Sequence, residues 1–179
     1  LTNVPPRLNM TPQIAKLLAH YNRSMNEQMF EAAKKLNSVQ LAADRGAFFG
    51  SIIGTLNHIA VADTIWLHRF AQHSGEFPSL AGLSSFERPT SLRQIITSDL
   101  LSLEAYRQRL DSLIDLWVSE LTCEHLAFTL TYANMAGVKS NKNLGAVLQH
   151  FFNHQTHHRG QVSTLLFQAG IDVGITDLI

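Results

Sequence analysis

His154 and His158 stand four residues apart in the segment Asn153-His154-Gln155-Thr156-His157-His158-Arg159-Gly160-Gln161. Residues at i and i+4 lie one above the other on a helix, so two imidazole nitrogens there can converge on one metal ion. Nine histidines in 179 residues supply about half of one such pair by chance, so spacing alone decides little. Register decides more. The apolar stripe Leu144, Val147, Leu148, Phe151, Val162, Leu165 and Leu166 needs core-facing residues near 154–155 and 158 to stay continuous. His154 and His158 fill those places. One buried histidine is usually satisfied by a hydrogen bond, whereas two stacked in a core are better explained by a shared ion. His150 and His157 fall toward one edge of the stripe, where a spectator, a supporting group or a solvent-facing residue would sit.

Two ligands on one helix need a third from elsewhere. His58 is the candidate, because it lies in the most hydrophobic segment of the chain, where an unpaired ring is costly. His20 is the fallback, and Asp63 could serve as a carboxylate ligand or as an acceptor behind an imidazole. His68, His73 and His125 fall near helix ends or loops and read as solvent-facing. Three imidazoles favour Zn, Ni, Fe, Co or Cu over Mg or Ca, and leave positions open for water or substrate.

Several chemistries are excluded. Gln155 stands where the zinc-protease pattern H-E-x-x-H carries its general base, and an amide cannot take a proton from water. There is no E-x-x-H pair for a di-iron carboxylate site. Nucleophile elbow, phosphate-binding glycine loop and dinucleotide fingerprint are all missing. Cys123, the single cysteine, has no histidine partner in the pattern and reads as a buried structural thiol in a reducing, cytoplasmic setting.

The elements that must position these residues are helical. Thr11-Pro12 is a cap followed by proline at the first helical position, opening a helix to about Leu36. A second helix runs from about Phe49 to His73, apolar nearly all round and so the most buried; Gly50 and Gly54 mark close packing near its start. Ser74 to Ser91 is a long Gly/Ser/Pro-rich connection. A third helix spans Leu92 to about Leu121, capped by Thr90 or Ser91. Phe128 to Tyr132 alternates and is followed by Asn134 and Gly137, the pattern of a short hairpin or extended loop. The last helix spans Leu144 to about Ala169 and stops at Gly170. These patterns predict an all-α fold, a four-helix bundle with long crossovers, as a single domain over residues 1–179.

Charge and hydropathy fit that picture. Fourteen basic and fourteen acidic residues cancel, and no basic stripe exists to hold a nucleic-acid backbone. The longest apolar stretch, Ala47 to Ala62, is interrupted by Asn57 and His58, and is no membrane span.

Three motifs together carry a resemblance: Arg45-Gly46-Ala47-Phe48-Phe49-Gly50-Ser51-Ile52 leading into Thr55-Leu56-Asn57-His58-Ile59, then Ala62-Asp63-Thr64-Ile65-Trp66, then Asn153-His154 through His158-Arg159-Gly160-Gln161. The chain resembles the DinB family, the DinB/YfiT-like metalloenzymes, over nearly its whole length. That resemblance implies a four-helix bundle holding a divalent ion, Ni or Zn foremost, on His58, His154 and His158. It also implies a homodimer. Related activities include thiol-dependent transferases and isomerases, such as glutathione-dependent maleylpyruvate isomerase. The leading expectation is therefore a metal-dependent enzyme acting on a small molecule, with a low-molecular-weight thiol as co-substrate. The alternative is a non-catalytic metal-binding protein of a stress response.

Overall fold

A computed structural model describes residues 10–72 and 77–179. The chain is mostly helical. Its long helices are α1 (Pro12–Ala33), α3 (Ile52–Phe70), α4 (Leu100–Glu120) and α6 (Leu144–Gln168). Short helices α2 (Ser38–Ala42) and α5 (Cys123–Ala127), a 3-10 helix (Pro78–Ser85) and a hairpin of β1 (Thr129–Ala133) and β2 (Lys139–Asn143) connect them. Helix α1 packs on α4 and α6, and α3 packs on the same two.

Local chemistry sets each boundary. Thr11 accepts the Ile14 N–H and Pro12 opens α1, as the sequence predicts. Ser51 caps α3 by accepting the Gly54 N–H. Every residue from Ser51 to Leu67 is buried, which accounts for the all-round apolar pattern of this helix. Its C-terminal Phe70 stacks on Trp117 of α4 at 4.4 Å between centroids and meets Phe151 of α6 edge-on at 5.6 Å. The hairpin closes through Asn134, whose Oδ1 accepts the Ala136 and Val138 N–H groups, while Gly137 takes φ 80°. Gly170, at φ 83°, ends α6 in the manner expected.

The third long helix departs from the periodicity reading. It begins at Leu100, not Leu92, and Asp99 is its cap, accepting the Ser102 N–H at 2.8 Å. Residues 92–99 instead run as irregular backbone held against α3 by Asn57. Thr90 and Ser91 cap nothing there; the Thr90 N–H bonds the Gln94 side chain. Cys123 is also corrected: it is exposed, the first residue of α5. Among the described residues no helix is long and apolar enough to cross a membrane.

Candidate metal centre

Helices α3 and α6 bring His58, His154 and His158 together. One nitrogen from each lies within 4.8 Å of the others. The ring centroids of His58 and His158 are 4.5 Å apart, those of His58 and His154 5.3 Å, and those of His154 and His158 4.4 Å. The i,i+4 pair, in the register its apolar stripe requires, and the mid-helix histidine thus occupy one place.

Hydrogen bonding sets which nitrogens are free. His58 Nδ1 lies 2.9 Å from the Leu92 carbonyl oxygen. A carbonyl can only accept, so Nδ1 carries the proton and Nε2 keeps its lone pair. His158 Nδ1 lies 2.7 Å from Gln161 Oε1, which fixes its tautomer the same way. His154 Nε2 then faces His158 Nε2 at 3.1 Å. Two nitrogens each about 2.1 Å from one ion, at tetrahedral to octahedral angles, would lie about 3.0–3.4 Å apart. The pair fits that spacing. His154 Nδ1 is buried without a partner.

Electrostatics keep all three rings neutral. Burial pushes the His58 pKa down to about 4, against the opposing Leu92 hydrogen bond and aided by His158 and Arg93. His154 falls to about 3, through burial first and the neighbouring imidazoles second. Burial also lowers His158, with Gln161 opposing it. Neutral imidazoles, two of them with their Nε2 lone pairs free, are ready ligands that need release no net proton on binding a cation.

Phe49 covers the site, its ring stacked on His58 at 3.7 Å between centroids. Arg93 lies over Phe48 and Phe49, at 4.6 and 5.4 Å from their centroids. The loops on either side of α3's N-terminal half therefore roof the triad.

The remaining histidines and Asp63 sort differently from some expectations. His20 is exposed on α1 and does not approach the triad. Asp63 is fully buried but forms an ion pair with Arg107 at 2.5 Å, away from the imidazoles. It is neither ligand nor imidazole acceptor, because a guanidinium in the same core claims it. Gln155 is buried beside Asp63, so the position of the zinc-protease base points into the core. His150 and His157 are exposed neighbours: His150 sits 6.1 Å from His154 between centroids, and His157 Nε2 lies 3.3 Å from Gln161 Nε2. His68 is half-buried and bonded to the Phe86 backbone, not solvent-facing. His125 belongs to the α5 capping box, its Nδ1 accepting the Thr122 N–H. His73 lies outside the described residues.

Pattern reading missed Asn57, Gln161, Phe49 and the Leu92 carbonyl. Asn57 and Gln161 sit beside the clustered histidines in the chain, one before His58 and three after His158, and a supporting polar residue there was discoverable from spacing. Leu92 carried no signal, because a backbone carbonyl has no sequence signature.

A mostly helical chain with three imidazoles arranged so that they could hold a metal ion is the class this fold and site define. The chain belongs to the DinB family: the family profile matches residues 10–179. It is similar to the curated protein named Protein DinB from Bacillus subtilis (strain 168), with 28% identity over 162 residues that span 89% of this chain and 88% of that protein. No solved structure matches it at a significant level.

Proposed function

We propose that the chain is a single-domain four-helix bundle that binds one divalent transition metal, Ni or Zn foremost, through His58, His154 and His158. In this reading it is a metal-dependent enzyme acting on a small molecule, with a low-molecular-weight thiol as co-substrate, and works as a cytoplasmic homodimer. The observation that carries the metal reading is the pair of fixed tautomers: Leu92 and Gln161 take the Nδ1 protons of His58 and His158 and aim both Nε2 lone pairs at one place. Three protein nitrogens leave coordination positions vacant, which suits catalysis better than a structural ion.

A bound ion would supply Lewis acidity, lowering the pKa of a water or thiol beside it. The chain's own groups do the rest. Phe49 excludes water from one face of His58 by stacking. His150 and His157 are exposed and flank the triad, His150 beside His154 and His157 beside His158.

Metal content by mass spectrometry tests the reading, on protein purified without an affinity column or chelator. About one transition metal per chain is expected, lost in both His58→Ala and the double variant His154→Ala/His158→Ala. No metal after reconstitution with Ni, Zn and Fe would overturn it. A thiol-transferase substrate screen on the loaded protein separates an enzyme from a non-catalytic metal binder. Light scattering on the eluting protein checks the homodimer.

A further inference from the structure

Beside the triad lies a cleft whose chemistry the metal reading leaves unexplained. It measures about 230 Å³ and is lined by Trp66, Tyr132, Lys142, Ala146, Val147 and His150. Hairpin register builds one wall. Leu130 pairs with Lys142 and Tyr132 with Ser140. Directly opposed residues share a face of the sheet, so Tyr132 and Lys142 project to the side of the buried Leu130. Trp66 meets Tyr132 edge-on at 5.1 Å and His150 at 5.5 Å. His150 is itself 6.1 Å from His154, so the cleft begins one helical turn from the triad.

Arg69 supplies the second observation. It sits three residues after Trp66 on the same face of α3 and is 8% exposed. Its guanidinium lies 4.5 Å from the Trp66 ring centroid and 5.2 Å from that of Tyr132, against two of the cleft's walls. Among the described residues no carboxylate pairs with it: the ion pairs there belong to Arg23, Lys34 and Arg107. Stacking on the rings returns about 0.5–2 kcal/mol but supplies no counter-charge. The cleft lining holds no acid, and Lys142 adds a second cation. Burial first, and nearby Arg88 further down, lower the Arg69 pKa, with Tyr132 opposing. A buried guanidinium in a basic neighbourhood is an arrangement that an anionic ligand relieves.

We propose that this cleft binds the carboxylate of a small planar acid of about benzoate size, its ring against Trp66 and Tyr132 and its charge met by Lys142, with Arg69, over the two rings and outside the lining, adding positive potential. The cleft would hold one end of the substrate beside the triad, and that placement rests on the metal reading; the anion site itself does not.

Fluorine NMR with 4-fluorobenzoate, against the neutral 4-fluorobenzamide, tests the site on the metal-loaded chain. Saturable broadening by the acid alone is expected. Lys142→Ala, an exposed substitution that leaves the core intact, should weaken binding about tenfold, and Arg69→Gln should weaken it by a smaller factor while circular dichroism shows the fold retained. Equal binding of acid and amide, no saturable binding, or binding unchanged in Lys142→Ala overturns the proposal. The double variant His154→Ala/His158→Ala keeps the two readings apart. Binding that survives in this variant places the acid in the cleft whatever becomes of the metal. Binding lost there but intact in Lys142→Ala means the acid goes to the ion, and the cleft proposal falls alone.

Discussion

Asn57 Oδ1 accepts the Ile96 N–H at 2.7 Å, and through that bond α3 grips a loop forty residues downstream. The same amide oxygen accepts the Thr97 N–H at 3.3 Å, and Nδ2 donates to the Thr97 carbonyl at 3.0 Å and to Ile53 at 2.9 Å. The gripped loop is the one whose Leu92 carbonyl orients His58. Asn57 is fully buried, so removing its side chain strands several backbone groups. Asn57→Ala should cost about 2–4 kcal/mol on the basis of two or more unsatisfied buried groups. Because His58 loses its orienting acceptor as well, metal affinity should fall about 10–100-fold. Denaturant midpoints and metal titration read the two effects separately.

Gln161 does for His158 what the loop does for His58, but from an accessible position on the same helix. Gln161→Ala should therefore weaken metal binding about tenfold or more while moving stability by less than about 1 kcal/mol. Gln161→Glu keeps the acceptor and should hold affinity at or above the original. Competition with a chromogenic chelator distinguishes the three proteins.

These two residues show what was legible in the chain. The histidine cluster was, because the register of His154 and His158 on α6 and the apolar setting of His58 are short-range patterns. So were the caps at Thr11 and Gly170 and the hairpin around Asn134 and Gly137, each of which is local backbone chemistry. The stretch 92–99 was not. Leu92, Ile95 and Ile96 carry a helical spacing into α4, but Asn57 captures the backbone of Ile96 and Thr97, and that contact spans about forty residues. Asp63 misled for a related reason: its partner Arg107 stands on another helix, and only packing reveals that the carboxylate is already taken.

Acid should unfold the chelated protein early. His58 and His154 have folded pKa values of about 4 and about 3, below the 6.5 of an unfolded imidazole. Between pH 6.5 and the folded values the unfolded chain binds protons that the folded chain does not. Stability therefore falls as the pH drops through that window and gains nothing from these groups above it. Melting temperature in chelator should decline from pH 7 to pH 4.5, and the double variant His154→Ala/His158→Ala should decline less. Metal-loaded protein should hold its melting temperature further into acid, until protons displace the ion.

Arg107 is buried between two carboxylates, Asp63 and Asp111 at 2.5 and 3.0 Å, with Asn26 donating to Asp111. Burial opposes the Arg107 charge, but the two acids outweigh it and raise its pKa. Arg107→Ala leaves both carboxylates in the core without the cation they pair with and should cost about 3–5 kcal/mol. Adding Asp63→Asn should recover part of the loss, since one of the stranded charges is then gone. Urea midpoints of the single and double variants at pH 7 measure the recovery.

Two glycines of the motifs should respond to the same substitution with opposite signs. A Cβ on Gly54 would lie 2.3 Å from the Phe49 carbonyl oxygen, which is backbone and cannot swing aside. Moving it shifts the residue whose ring stacks on His58. Gly54→Ala should cost about 1–3 kcal/mol and loosen the metal site as well, because the roof of His58 moves with the carbonyl. Gly160 lies within α6, exposed, with no neighbouring atom within 4 Å of the place a Cβ would take. There the helix gains what glycine's backbone freedom had cost, and Gly160→Ala should stabilise by about 0.5–1 kcal/mol with metal affinity unchanged. Thermal melts and metal titration on the pair decide it: a destabilised Gly160→Ala would mean that this glycine meets a ligand or partner absent from the free chain.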